Sequence, residues 1–159
     1  MKKLEKMMLE GIRDNDLKKV AWALNLGLDI NTLLDGFTPL HLAVIWNRIE
    51  IAKLLIDSGA DVMAKEDRYG RTPLHEAVYW RNIELAKLLI ASGTDVGVKN
   101  EVGDEPLHLA AYGDNIEIAK LLIASGADVN AKTNYGFTPL HRAYSQKMKA
   151  LLREHGAIE

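Results

Sequence analysis

The chain has 159 residues, 48% of them hydrophobic, which suffices to bury the continuous core of one domain. A formal net charge of -2 argues against general affinity for nucleic-acid phosphates or acidic membrane surfaces, because both reward a clustered basic excess. The absence of cysteine excludes a disulfide framework, a thiolate metal site and a cysteine nucleophile, and no run of about 18 apolar residues offers a membrane span.

The N-terminal stretch MKKLEKMMLEGIRDNDL starts basic, but Glu5, Lys6 and Glu10 interrupt its apolar residues, so it is not a signal-peptide core. A cytoplasmic location is the resulting expectation. Beyond residue 31 the sequence repeats itself. The tetrapeptide T-P-L-H stands at Thr38 to His41, Thr72 to His75 and Thr138 to His141, with a near copy, E-P-L-H, from Glu105; the steps between them are 34, 33 and 33 residues. In phase with it run IEIAKLLIDSGADV from Ile49, IELAKLLIASGTDV from Ile83 and IEIAKLLIASGADVNAK from Ile116.

The first full unit, residues 32–65, shows what each element does. Thr38 can cap a helix by accepting a backbone N–H bond, and Pro39 suits the first helical position, where no N–H is needed. Leu40, Ala43 and Val44 share one face of that helix, and Asn47-Arg48 interrupts it. A second helix follows, with Ile49, Ala52, Leu54, Leu55 and Ile56 as its apolar stripe and Glu50 and Lys53 turned away. Gly59 closes it in the left-handed conformation that helix ends favour, and Gly27, Gly93, Gly126 and Gly156 recur at the same place. An extended arm with a turn completes each unit. Helices this short do not persist alone in water, so stability must come from stacking one unit on the next.

Residues 66–98 and 99–131 repeat the unit with departures. The loop KEDRYGRT is one residue long, the loop containing Leu33-Leu34 is one short, Gly97 stands where asparagine is usual, and Glu105 replaces the capping threonine. The tips at Asp35 and Tyr69 are therefore expected slightly out of line with the others, while the charge of Glu105 still favours a helix N-terminus. In residues 132–159, His141 lies 15 positions before its glycine against 18 for His108, which predicts that three residues are missing between the paired helices.

T-P-L-H, I-E-I-A-K-L-L-I, S-G-A-D-V and the 33-residue period closely resemble the ankyrin repeat over nearly the whole sequence. The resemblance implies an all-α repeat solenoid of stacked helix pairs with β-hairpin-like loops. The sequence reads as a single domain, 1–159, in which 1–31 is an N-terminal capping repeat, 32–65, 66–98 and 99–131 are full repeats and 132–159 is a truncated C-terminal capping repeat. Trp22, in the first unit, falls at the position of Leu121 and is assigned to the core. Two caps around three units are expected to give an autonomous monomer.

No catalytic constellation survives this register, and no enzymatic activity, cofactor or metal is expected. His41, His75, His108 and His141 recur once per unit, and packed helices lie about 8 to 10 Å apart, too far for their side chains to share one ion. The family's usage implies that these histidines hydrogen-bond neighbouring loops. His75-Glu76 opens like a zinc-protease motif, but Tyr79 stands where its second histidine belongs. Asp29, Asp61, Asp95 and Asp128 also recur in phase, as turn residues rather than an acid-base pair.

Subtracting the repeated pattern leaves nine of the ten aromatic residues on hairpin tips or the ends of first helices. They are Phe37, Tyr69, Tyr135 and Phe137 at the turns and Trp46, Tyr79, Trp80, Tyr112 and Tyr144 on the helices. Tyr and Trp dominate binding hot spots, so this row is the expected contact surface, with Trp46 and Trp80 as anchors and Asp35, Arg68, Arg71, Glu101, Asp104 and Asn134 as a polar rim. The expected partner is another protein or peptide, with no nucleic acid and no membrane. Self-association through the same row, or an engineered binding scaffold, are the alternative readings; the irregular loops favour a natural origin.

Overall fold

Every Thr-Pro pair starts a helix, as capping chemistry predicts. The computed structural model describes residues 2–159 and contains ten helices: α1 Lys3–Arg13, α2 Leu17–Asn25, α3 Pro39–Ile45, α4 Ile49–Asp57, α5 Pro73–Tyr79, α6 Ile83–Ala91, α7 Pro106–Tyr112, α8 Ile116–Ala124, α9 Pro139–Arg142 and α10 Gln146–Glu154. At α3 the Thr38 hydroxyl donates to His41 Nδ1 over 2.7 Å and accepts the His41 N–H at 3.3 Å, closing the first turn. Between the helices of a pair the backbone reverses through Asn15, Asn47, Arg81 or Asp114, all at positive φ (51° to 61°). Asn and Asp tolerate that region; Arg81 does so less readily, and its guanidinium donates to the Gly113 carbonyl at 2.9 Å.

First helices pack on first helices and second on second, α1–α3–α5–α7–α9 and α2–α4–α6–α8–α10, so contacts run only between neighbours along the stack. Leu40, Leu74 and Leu107 fill the seam inside the first helices, and Leu55, Leu89 and Leu122 fill it inside the second, all of them buried. Ile51, outside the second-helix stripe expected from the sequence, is fully buried with Leu85 and Ile118 at the equivalent positions, whereas Ile49, Leu54 and Ile56 only border the core.

Between units the backbone forms short hairpins, closed by backbone pairs Leu34–Phe37, Glu66–Arg71, Asn100–Asp104 and Thr133–Phe137. Their differing lengths follow from the irregular loops. One backbone bond joins each tip to the next: Asp67 N–H to Gly36 O (3.0 Å), Glu101 N–H to Tyr69 O (3.0 Å) and Asn134 N–H to Val102 O (3.0 Å). Gly103 permits the last of these, since a Cβ there would come within 2.6 Å of the Asn134 backbone nitrogen and φ is +81°.

Two expectations about the ends need correction. The three residues lost from the last unit come out of its first helix, which has four residues in α9 against seven in α7, and not from the connection. Ala143 is extended and Ser145 already caps α10 by accepting the Met148 N–H at 3.0 Å, so the second helix begins where the first would have continued. Trp22 is not a core residue: it is 61% exposed, beside Lys3, Lys6, Met7, Glu10 and Lys19. Leu54 at the equivalent position is partly buried against the core and shares a hollow with Ala21 and Leu24 of α2, whereas no helix pair of the described residues precedes α1 and α2 to flank Trp22 in the same way.

Candidate partner-binding face

The recurrent polar residues are spent on the frame. In the buried histidines the Nδ1 atom accepts a hydrogen bond from the backbone N–H of the capping residue, so the proton sits on Nε2 and is donated forward. His41 donates to Arg71 O at 2.9 Å, His75 to Asp104 O at 3.0 Å, and His108 to both Ala131 O and Phe137 O at 3.1 and 3.0 Å. Burial lowers the pKa of all three, that of His75 to about 4, which keeps the rings neutral in this role. His141 departs from the expectation. It keeps its bond to the Thr138 hydroxyl at 2.8 Å, but no further hairpin of the described residues accepts from Nε2, and the residue is exposed.

The four phased aspartates each accept a backbone N–H two residues on, at 2.9 Å: Asp29 from Asn31, Asp61 from Met63, Asp95 from Gly97 and Asp128 from Asn130. They are turn residues. Among the described residues no group of three or more histidines, aspartates and glutamates is arranged as metal ligands, and no helix is long and apolar enough to cross a membrane.

At the hairpin bases one task falls to three residue types. Glu66 is buried and accepts from Arg68 N–H (2.7 Å), Tyr69 N–H (2.7 Å) and Arg71 N–H (3.0 Å). Burial alone would raise its pKa, but these donors bring it below the ordinary value. Asn100 Oδ1 accepts from Val102 and Asp104 in the next hairpin, and Thr133 Oγ1 from Tyr135 and Phe137 in the last.

Two departures noted in the sequence turn out to be neighbours. Glu105 Oε1 lies 3.9 Å from where a Gly97 Cβ would stand, so the glutamate occupies space that a larger residue at 97 would contest. Burial works against the charge expected to support the α7 N-terminus: the Glu105 carboxylate makes no cap hydrogen bond, Oε2 is buried without a partner, and the pKa is raised to about 7.

Against this frame the predicted contact residues separate into groups. Tyr69, Tyr79, Trp80, Tyr112, Tyr135, Phe137 and Tyr144 are 44% to 73% exposed. Tyr79 meets Trp80 edge-on at 5.3 Å, and Tyr112 meets Tyr144 likewise at 5.8 Å, the truncated α9 having let Tyr144 swing toward its neighbour. Asp35, Phe37 and Arg68 border a separate hollow at the first two tips. Phe37 and Trp46 are only partly exposed and pack on the core, so Trp46 offers a partner less ring surface than Trp80. Glu101 is exposed, its backbone taken up by the inter-tip bonds, and Asn134 ties its Nδ2 to Glu101 O at 2.9 Å.

Asp104 and Arg71 are not on an exposed rim. Asp104 is 8% exposed and pairs with Arg142 at 3.2 Å. Arg71 lies with its guanidinium carbon 4.5 Å from the Tyr79 ring and 5.1 Å from Tyr69, and 3.7 Å from Glu76 at one nitrogen. Glu76 is buried, which raises its pKa, and accepts the Trp80 indole N–H at 3.0 Å. Sequence reasoning missed Glu76 and Arg142. Both occupy the position after the repeated histidine, which reads Leu42, Glu76, Leu109, Arg142 in order, and that alternation of apolar and charged residues in a fixed register was the available signal.

Neighbour-only contacts, in-phase caps and an unbroken row of hairpins define a solenoid repeat protein. The family model for ankyrin repeats matches residues 8–100 and 81–158, and the chain belongs to the ankyrin-repeat family. A 37-residue segment is 51% identical to an ankyrin repeat protein of vaccinia virus (strain Western Reserve), covering 23% of this chain and 12% of the viral protein. Ankyrin repeats are generally protein–protein interaction modules, and the family is typically non-enzymatic.

Proposed function

We propose that this domain, as a single copy, binds a protein or peptide lying across the concave face formed by hairpin tips and first helices. One asymmetry carries the reading. Seven aromatic residues remain exposed on that side, whereas α4, α6, α8 and α10 contain no aromatic residue and turn Glu50, Lys53, Glu84, Lys87, Glu117 and Lys120 to solvent. Tyr and Trp bury large area at small entropic cost, so a partner covering Tyr79, Trp80 and Tyr112 gains most of its affinity there.

The test is quantitative affinity capture with the wild type and a Trp80→Ala/Tyr112→Ala variant, followed by affinity measurement on the recovered partner. The variant is expected to lose at least roughly 2 kcal/mol while its circular dichroism is unchanged. Equal capture by both proteins refutes the reading. Sedimentation showing a stable dimer that the same substitutions dissociate replaces it with self-assembly.

A further inference from the structure

A small pocket of about 160 Å³ opens on the aromatic side between α5 and α7, with α9 closing one flank. Arg71, Tyr79, Asp104, His108, Tyr112 and Arg142 line it. Two arginines and one carboxylate thus share a space bordered by Tyr79 and Tyr112, with Arg142 already paired to Asp104. His108 adds no charge, because burial lowers its pKa and its Nδ1 already accepts the Glu105 N–H. Glu76 stands behind Arg71, away from the pocket lining, and is shared with the Trp80 indole.

The two arginines are under-used as donors. Each guanidinium carries five N–H groups. The Arg71 guanidinium makes no hydrogen bond within the protein, its nearest carboxylate oxygen being 3.7 Å away, and that of Arg142 makes one, to Asp104. The Nε atoms of both are buried without a partner. Buried donors left unsatisfied are costly, and both belong to side chains that line this one pocket, where donor capacity therefore exceeds the acceptors present. Tyr69 and Tyr79 hold the Arg71 guanidinium by its faces, which leaves its donor edges for an in-plane acceptor.

We infer that this pocket receives a carboxylate of the bound polypeptide, taken between Arg71 and Arg142 with the adjoining residues resting on Tyr79 and Tyr112. The inference rests on the partner-binding reading above and gives it a chemical specificity. A carboxylate fits better than a phosphate, because Asp104 and Glu76 leave at most one unbalanced positive charge between Arg71 and Arg142, which a monoanion satisfies and a dianion exceeds. The shared chemistry has two sources, an Asp or Glu residue or the terminal α-carboxylate of the polypeptide.

Four short peptides separate the outcomes: Ac-Tyr-Glu-Tyr-NH2 for the acidic residue, Ac-Tyr-Gln-Tyr with a free α-carboxylate for the polypeptide end, Ac-Tyr-Gln-Tyr-NH2 as neutral control and Ac-Tyr-phosphoSer-Tyr-NH2. Each is titrated into the folded protein while NMR follows the arginine Nε–H and tyrosine ring signals. One of the two carboxylate peptides is expected to move the Arg71 and Arg142 signals saturably and to bind at least about tenfold more tightly than the neutral control, a gap that narrows with salt. Arg142→Gln should abolish that preference and Arg142→Lys should keep part of it, both with unchanged circular dichroism. Equal binding of the neutral peptide, tighter binding of the phosphopeptide, no saturable shift from any of the four, or an undiminished preference in Arg142→Gln overturns the carboxylate site. The partner-binding reading falls separately, when the Trp80→Ala/Tyr112→Ala variant captures its partner undiminished or when those substitutions dissociate a stable dimer.

Discussion

The inner junctions of the stack and its two ends are built from the same local sequence and behave differently. His75 and His141 occur in identical T-P-L-H turns with the same bond from the histidine ring to the threonine hydroxyl, yet His75 is wholly buried and bridges to Asp104 while His141 faces water. Trp22 and Leu54 share a register, yet one stands in solvent and the other is partly buried against the core. Burial in this molecule belongs to the junction between units, and a residue inherits it only when a neighbour is present.

The sharpest way to break that comparison is a pair of matched substitutions. His75→Ala deletes a buried ring, strands the Thr72 and Asp104 groups it satisfied, and should cost about 3 kcal/mol in urea denaturation. His141→Ala should cost less than about 1 kcal/mol. Equal losses would mean that the histidines act within their own turn and not across the junction.

The junctions should also disclose themselves through pH. His41, His75 and His108 have depressed pKa values in the folded state, so the unfolded protein takes up protons first as pH falls from about 6.5 toward 4, and stability declines over that window. Glu105 works in the opposite sense. Its folded pKa is raised to about 7 from 4.5, so the folded state holds a proton that the unfolded protein releases, and stability is lost as pH rises through that interval. Glu105→Thr should restore a cap for about 1 kcal/mol and gain more at pH 8 than at pH 5 in denaturation curves taken at both. A gain independent of pH would show that burial does not disfavour the charged form of this carboxyl.

The smallest expected effect lies at the N-terminal end. Trp22→Gln should change stability by no more than about 0.5 kcal/mol, because the side chain is 61% exposed. A loss of several times that in thermal denaturation would place Trp22 in the core after all.

Most of the frame was legible. The T-P pairs, the in-phase glycines and the turn aspartates announce themselves because each is selected by backbone geometry within one unit, and period then multiplies the signal. What the sequence hid depends on neighbours. Trp22 looks like Leu121 until the order of the units is considered, and Asp104 looks like an exposed rim residue until Arg142, 38 positions later, folds onto it. Glu66, Asn100 and Thr133 escaped because a carboxylate, an amide and a hydroxyl do the same work, so no residue type repeats. The aromatic row was visible as composition, but its division into exposed rings and the half-covered Phe37 and Trp46 required three dimensions.

Because the hairpins built on Glu66, Asn100 and Thr133 each close on an acceptor of their own, the number of residues between acceptor and closing pair is free to vary, and the present tips already differ in length over helix pairs of nearly constant period. The freedom has two fixed points. A foreign turn grafted between Glu66 and Arg71 must still present the backbone groups that Asp67 and Tyr69 lend to the tips on either side, and leave the Arg71 carbonyl to His41.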